Sequence, residues 1–215
     1  MIAPAGGLDV KFLKQFRRLI LAGVKAGHKF YIITGGGMTW RNYIKASSAV
    51  TMVSAEDNDW LGIHATRLNA HLLRTILAEV AHPEIITNPL KKLKTERPVV
   101  IAAGYKPGWS TDYVAVLLAR EYKIKTVINL SNIDYVYDKD PKKFKGAVSI
   151  KETNWSAFRK IVGNKWSPGL NAPFDPVASK LAQELGLRVI ILNGQKISNL
   201  NRCLAGQNCI GTKIF

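Results

Sequence analysis

Four short runs constrain this chain most: "KFYIIT" (29–34), "PVVIAA" (98–103), "TVINL" (126–130) and "RVIIL" (188–192). Each is apolar almost without interruption. A strand with one face in water alternates apolar and polar residues, so runs of this kind need both faces covered, as in parallel sheets sandwiched between helices. Helix-length segments separate the four runs. That alternation predicts an α/β fold: a three-layer α/β/α sandwich around a mainly parallel central sheet.

The intervening segments read as helices over 9–26, 39–49, 59–80, 111–122, 153–162, 175–185 and 196–204. In the first, Val10, Leu13, Phe16, Ile20 and Val24 recur at spacings of three and four, Asp9 is placed to cap and Gly27 to stop the helix. In the third, the apolar register runs Leu61, Ala65, Leu68, Leu72, Ile76, Val80. With 215 residues, 47% of them hydrophobic, one domain spanning 1–215, or two closely fused lobes, has enough material for a core. Charged loops are expected at 89–98 and 138–148.

Several classes are set aside. No apolar run approaches the ~20 residues of a membrane span, and the start "MIAPAGGLDV" has no charged region ahead of an apolar one. The expectation is a cytoplasmic protein. Cys203 and Cys209 lack metal-site spacing and read as reduced thiols, and His28, His64, His71 and His82 are scattered. The excess of 31 Lys and Arg over 15 Asp and Glu gives a net charge of +16, which attracts polyanions or small anions. The basic residues are dispersed over helix faces without an aromatic-rich recognition motif, so nucleic acid is the weakest of the partner readings.

In open parallel sheets ligands bind beyond the carboxyl ends of the strands. After the first strand come Gly35, Gly36 and Gly37, entering a helix that carries Arg41. Glycines let backbone amides approach a phosphate, and the helix start adds partial positive charge; the plain alternative is a strand-to-helix turn. After the second strand, "GYKPGWSTD" offers Ser110, Thr111 and Asp112, which would equally serve to cap the next helix. After the third, "SNIDYVYDKDP" gathers Asp134, Asp138 and Asp140 in an otherwise basic chain. Asp134 and Asp140 suit ribose or adenine groups or magnesium-bound water, against the plain reading of a solvated Asp-Pro turn. At "NAPFDPVASK", Asp175 and Pro176 read as a helix start, with Lys180 about 1.4 turns on. There is no Walker A, GxSxG, HExxH or GxGxxG pattern.

Taken together, "TGGGMTWR", "DWLGIHATRLNA", "GWSTDYVAVLLA", "INLSNIDYVYDKDP", "PFDPVASK" and the terminal "GTKI" resemble the uridylate kinases of the amino-acid kinase superfamily, in their archaeal-type branch. The match runs in order along essentially the whole chain. The resemblance implies transfer of the γ-phosphoryl of ATP to UMP with Mg²⁺, in a homohexamer, with residues 1–95 on the UMP side and 96–215 on the ATP side. It would place Gly35, Gly36, Gly37 and Arg41 on the UMP phosphate, Asp59 on the ribose, and Ser110 and Thr111 beside them. Ser131, Asn132, Asp134, Tyr137, Asp140 and Pro141 would line the ATP nucleoside pocket. Asp112 and Asp175 match the acids that organise metal and catalytic lysine, and Lys180 matches that lysine; no direct protein ligand to the metal is assigned.

Two departures from the family pattern stand out. The chain begins just after the place of the family's first strand and its Lys-x-Gly-Gly-Ser segment, so that strand and the true start are expected to be missing, and Gly6 and Gly7 are not taken as substitutes. Tyr135 stands where the family carries glycine, and would need a negative φ or strain. The alternative function is a nucleotide-binding homologue with weak or no catalysis.

Overall fold

The computed structural model describes residues 1–141, 143–165 and 172–215. Lys142 of the 138–148 loop and Asn171 at the head of the "NAPFDPVASK" stretch lie outside them. The chain divides into two compact units, Met1–Glu121 and Tyr122–Phe215.

In the first unit, α1 (Val10–Lys25) starts where the Asp9 carboxylate accepts the Phe12 amide at 2.8 Å, and ends before Gly27 at φ 87°. It buries Phe12, Leu13, Phe16, Leu19 and Ile20, with Phe12 and Phe16 stacked at 5.5 Å. Val10, expected on that face, is exposed. Strand β1 (Phe30–Ile33) runs parallel to β2 (Val99–Ala102) in the register Phe30 to Val99. β2 is fully buried, because its other edge is bridged by Ala81 and Ile86. β1 is half-buried throughout. Between the strands lie α2 (Gly37–Val50) and α3 (Ala55–Ile76), the latter capped by Ser54, and α4 (Thr111–Glu121) follows β2.

The buried face of α3 differs from the apolar register expected of it. Ile63, Ala65, Thr66, Asn69, Ala70 and Leu73 are buried, while Leu68 is 62% exposed. Two polar residues occupy the inner face because the backbone of the strand-end turns needs hydrogen-bonding partners there, a requirement that apolar spacing does not report.

In the second unit, β3 (Thr126–Ser131) pairs in parallel with β7 (Arg188–Asn193), from Thr126 opposite Arg188 to Ser131 opposite Asn193. β8 (Thr212–Ile214) lies antiparallel on β7 and parallel to β6 (Glu152–Thr153), giving the order β3-β7-β8-β6. A ribbon of β4 (Val136–Tyr137) and β5 (Ser149–Ile150) stands apart as a two-stranded sheet. Thr212 ties it to β8, accepting from the Val136 amide at 2.8 Å and donating to the Ile150 carbonyl. The expected parallel pairing thus holds for β1–β2 and β3–β7, and the antiparallel β8 and the ribbon add to it. Helices α5 (Trp155–Val162), α6 (Pro176–Glu184) and α7 (Ile197–Leu204) complete the unit.

Candidate functional site

In the first unit the two parallel strands end in two turns that α3 holds from below. The turn after β1 is Gly35-Gly36-Gly37. The Asn69 carboxamide, 3% exposed, donates to the Gly35 carbonyl at 2.8 Å and to the Gly36 carbonyl at 3.3 Å. Gly37 has φ +59°, and a Cβ there would lie 2.9 Å from the Ala3 carbonyl oxygen, which also accepts the Met38 amide at 2.9 Å. Conformation and close approach therefore both demand glycine at 37. The turn opens α2 with no side-chain cap and no acid in its first turn, and Arg41 is exposed one turn later. This is the polarity an anion requires.

The turn after β2 runs from Gly104 to Ser110. Thr66 Oγ1 accepts the Gly104 amide at 2.8 Å and donates to Ile63 O at 2.6 Å, and Thr34 Oγ1 donates to Thr66 O at 2.8 Å. Arg67 reaches the carbonyls of Gly104 at 3.4 Å and Tyr105 at 3.2 Å. At the tip, Gly108 at φ +80° donates its amide to Asp59 Oδ2 at 2.7 Å. Ser110 caps α4, its Oγ accepting the Tyr113 amide at 3.1 Å, and Thr111 and Asp112 form the first turn. The structure thus joins Asp59 directly to the Gly108 turn, and sets Gly35 and Gly36 on one α3 anchor, Asn69, with Gly37 next in the turn against Ala3. Thr66, Arg67 and Asn69 were missed by apolar periodicity. Their spacing in "ATRLNA" on an otherwise apolar helix was the signal available.

In the second unit the carboxylates of Asp134 and Asp138, in the segment after β3, take different tasks. Asp134 Oδ2 accepts from Lys196 Nζ at 2.7 Å, and Lys196 precedes α7 in the turn after β7. That turn is bolted to the end of β3, since the Gly194 amide donates to Ser131 O at 2.9 Å. The hydrogen bond from Lys196 holds the Asp134 carboxyl below its ordinary value; desolvation pushes the other way, and Asn193 adds to the lowering. Asp134 Oδ1 is buried and, among the described residues, has no hydrogen-bond partner within normal geometry. Asp138 is structural, its Oδ1 accepting the Val148 amide at 2.8 Å and closing the ribbon. The Asp140 carbonyl accepts the amides of Lys143 and Phe144, turning the chain beside Pro141. Tyr137 lies in β4, and Asn132 is exposed next to Ser131. Lys123 alone among the described non-glycine residues has a positive φ, so Tyr135 sits where it does without left-handed backbone.

Asp175, 5% exposed, caps α6 by accepting the Ala178 amide at 2.6 Å, and Pro176 follows at the first helical position. Lys180 is exposed on the same helix. Among the described residues no three His, Cys, Asp or Glu side chains gather as a metal cage.

A model of the amino acid kinase family matches residues 2–193 of this sequence. The chain belongs to the amino acid kinase family. Within that family it is similar to the uridylate kinase of Sulfurisphaera tokodaii, 34% identical over 199 residues that cover 90% of this chain and 87% of that protein. The uridylate kinase of Methanobrevibacter smithii is 31% identical over 210 residues, 96% of this chain and 92% of the other. The crystal structure of uridylate kinase from Archaeoglobus fulgidus superposes with a TM-score of 0.83 at 29% identity, covering 96% and 94% of the two chains. The chain thus has the α/β fold of an amino acid kinase family member, and both turns described above lie at the carboxyl ends of its parallel strands.

Proposed function

We propose that this chain is a UMP kinase, transferring the γ-phosphoryl of ATP to UMP to give UDP in pyrimidine nucleotide biosynthesis. The observation that carries the reading is the match along nearly the whole chain to proteins named uridylate kinase, at up to 35% identity. It is supported by a capless, glycine-built helix start suited to a phosphate.

In this reading the first unit holds UMP: the turn at Gly35, Gly36 and Gly37 and the Arg41 guanidinium take its phosphate, Asp59 its ribose, and Ser110 and Thr111 lie alongside. The second unit holds ATP through Ser131, Asn132, Asp134, Tyr137, Asp140 and Pro141. Phosphoryl transfer asks little covalent chemistry of the protein and depends on alignment and on cations offsetting the repulsion between phosphates. Lys180 supplies one such cation, and Asp175, immobilised by its capping bond, fixes the start of the helix that presents it. Mg²⁺ keeps most of its waters and arrives on substrate phosphates with one or two carboxylates, and Asp112 and Asp175 would be the acids that organise it. A Mg²⁺ held there would supply charge neutralisation at the phosphate oxygens.

The reading extends to a cytoplasmic homo-oligomer, a hexamer by family resemblance. No described helix is long and apolar enough to cross a membrane. α2 buries none of its residues, and Tyr43, Val50, Met52 and Leu68 are all exposed on or beside α2 and α3, the kind of surface that copies of one chain cover. Light scattering tests that part.

The deciding experiment for function is UDP formation from ATP and UMP, with CMP and AMP as competitors and with magnesium removed by chelation. Turnover with UMP that stops on chelation is expected. ATP and UMP binding without any UDP would overturn the catalytic reading.

A further inference from the structure

Asn69 lies on α3, is 3% exposed, and spends both hydrogens of its carboxamide on consecutive carbonyls of the triple-glycine turn. A trans peptide is planar, with its C=O and N–H pointing in opposite directions. Holding the Gly35 carbonyl against Asn69 therefore aims the Gly36 N–H away from α3, and holding the Gly36 carbonyl, which also accepts the Trp40 amide at 3.3 Å, aims the Gly37 N–H the same way. A glycine-only turn has no side chain to fix its peptide planes, and the unfolded alternatives open to it are many. There is room beside Gly35, where an added Cβ meets nothing within 4 Å, and Gly35 and Gly37 are exposed, while Gly36 packs against Trp40 and Gly37 against Ala3.

We infer that Asn69 is a positioning residue for the phosphate of UMP: it never touches the nucleotide, and by clamping the carbonyls of Gly35 and Gly36 it orients the amides of Gly36 and Gly37 as a preformed anion cradle. An amide pair aimed in advance donates to the phosphate without reorganisation, and donors fixed toward an anion are worth more than mobile ones. The inference rests on the reading of this turn as the UMP phosphate site.

The test compares UMP with uridine, which lacks only the phosphate. In the unaltered protein, UMP should bind far more tightly than uridine, and the amide resonances of Gly36 and Gly37 should shift with UMP and not with uridine. Asn69→Asp keeps the side-chain volume while removing both donors, and Asn69→Ala removes them without adding charge. In each, UMP affinity is expected to fall about tenfold or more, while uridine affinity and the ATP KM stay within about twofold. Equal weakening of UMP and uridine, or no change in either, overturns the role of Asn69, because a merely structural residue would not single out the phosphate. If the unaltered protein binds UMP and uridine alike, it is the phosphate-site reading that fails. Should neither variant fold, the resonances in the unaltered protein decide: Gly36 and Gly37 amides that ignore UMP overturn the inference.

Discussion

The turn after β1 and the segment after β3 both close a parallel strand, yet they are built from different materials. Gly35 to Gly37 offers only backbone, fixed by a neutral side chain from beneath and by the Ala3 carbonyl. The segment from Ser131 to Pro141 offers side chains, with Asp134 paired to Lys196 and Asp138 spent on the ribbon. A backbone cradle has fixed partial charge and a demanding conformation; a carboxylate site has full charge, adjustable by its neighbours. The first is sensitive to Cβ atoms and peptide orientation, the second to charge balance. Perturbations should therefore sort by unit.

The largest expected effect comes from Asp112, a carboxylate beside the backbone-built turns. Asp112→Asn should lower kcat by about 10²-fold or more while UMP affinity stays within about threefold, measured by UDP formation and calorimetry. A large loss of UMP affinity instead would mean that the first unit binds through charge and not through amides. Next in size is Gly37→Ala, which places a Cβ 2.9 Å from the Ala3 oxygen at φ +59° and should cost about 1–3 kcal/mol in a urea melt. Gly35→Ala meets nothing within 4 Å and should stay within about 0.5 kcal/mol. Equal melts for the two variants would break the claim that the cradle is conformationally defined.

These distinctions were unevenly legible in the sequence. The four apolar strands could be read because burial on both faces leaves a continuous run, and the triple glycine because side-chain-free turns are scarce. Strand β8 could not, since Thr212 to Ile214 is too short to show a period, and the two-residue strands of the ribbon shorter still. The inner face of α3 was misread through Leu68 because Thr66 and Asn69 are buried for their hydrogen bonds and not for their apolarity. Lys196 was invisible for another reason: 62 residues separate it from Asp134, and only the pairing of β3 with β7 brings the two strand ends together. Asp138, one of three acids in a single segment, took a purely structural bond that composition cannot tell from its neighbours' tasks.

Lys196→Ala tests the proposed ATP site of the second unit. An exposed ion pair is worth about 0.2–1 kcal/mol, so the ATP KM should rise about two- to fivefold with the UMP KM unchanged. The pair also sets a pH limit. Asp134 is held below its ordinary value, so its contribution is present above that ordinary value and is lost as pH falls through the lowered one. Without Lys196 the carboxyl relaxes upward, and the acid rise in ATP KM should begin at a less acidic pH than in the unaltered protein. A UMP KM that moves in step would show that the two sites are not separable by charge.

The smallest effect expected concerns Cys203 on α7, whose helix follows the Lys196 turn. Burial, followed by its contact with the Cys209 thiol, pushes its thiol from 9.0 up to about 12. The folded chain therefore keeps the proton over a range in which the unfolded chain releases it. Stability is full below the unfolded value and declines as pH rises from about 9 toward 12. Because the thiol is only partly buried, the decline should be slight, a Tm fall of about 2 °C between those limits, and Cys203→Ala should remove it. The loss should also track ATP before UMP, because α7 begins at the Lys196 turn; an alkaline rise in UMP KM ahead of ATP KM would contradict the division between a backbone-built first site and a charge-built second one.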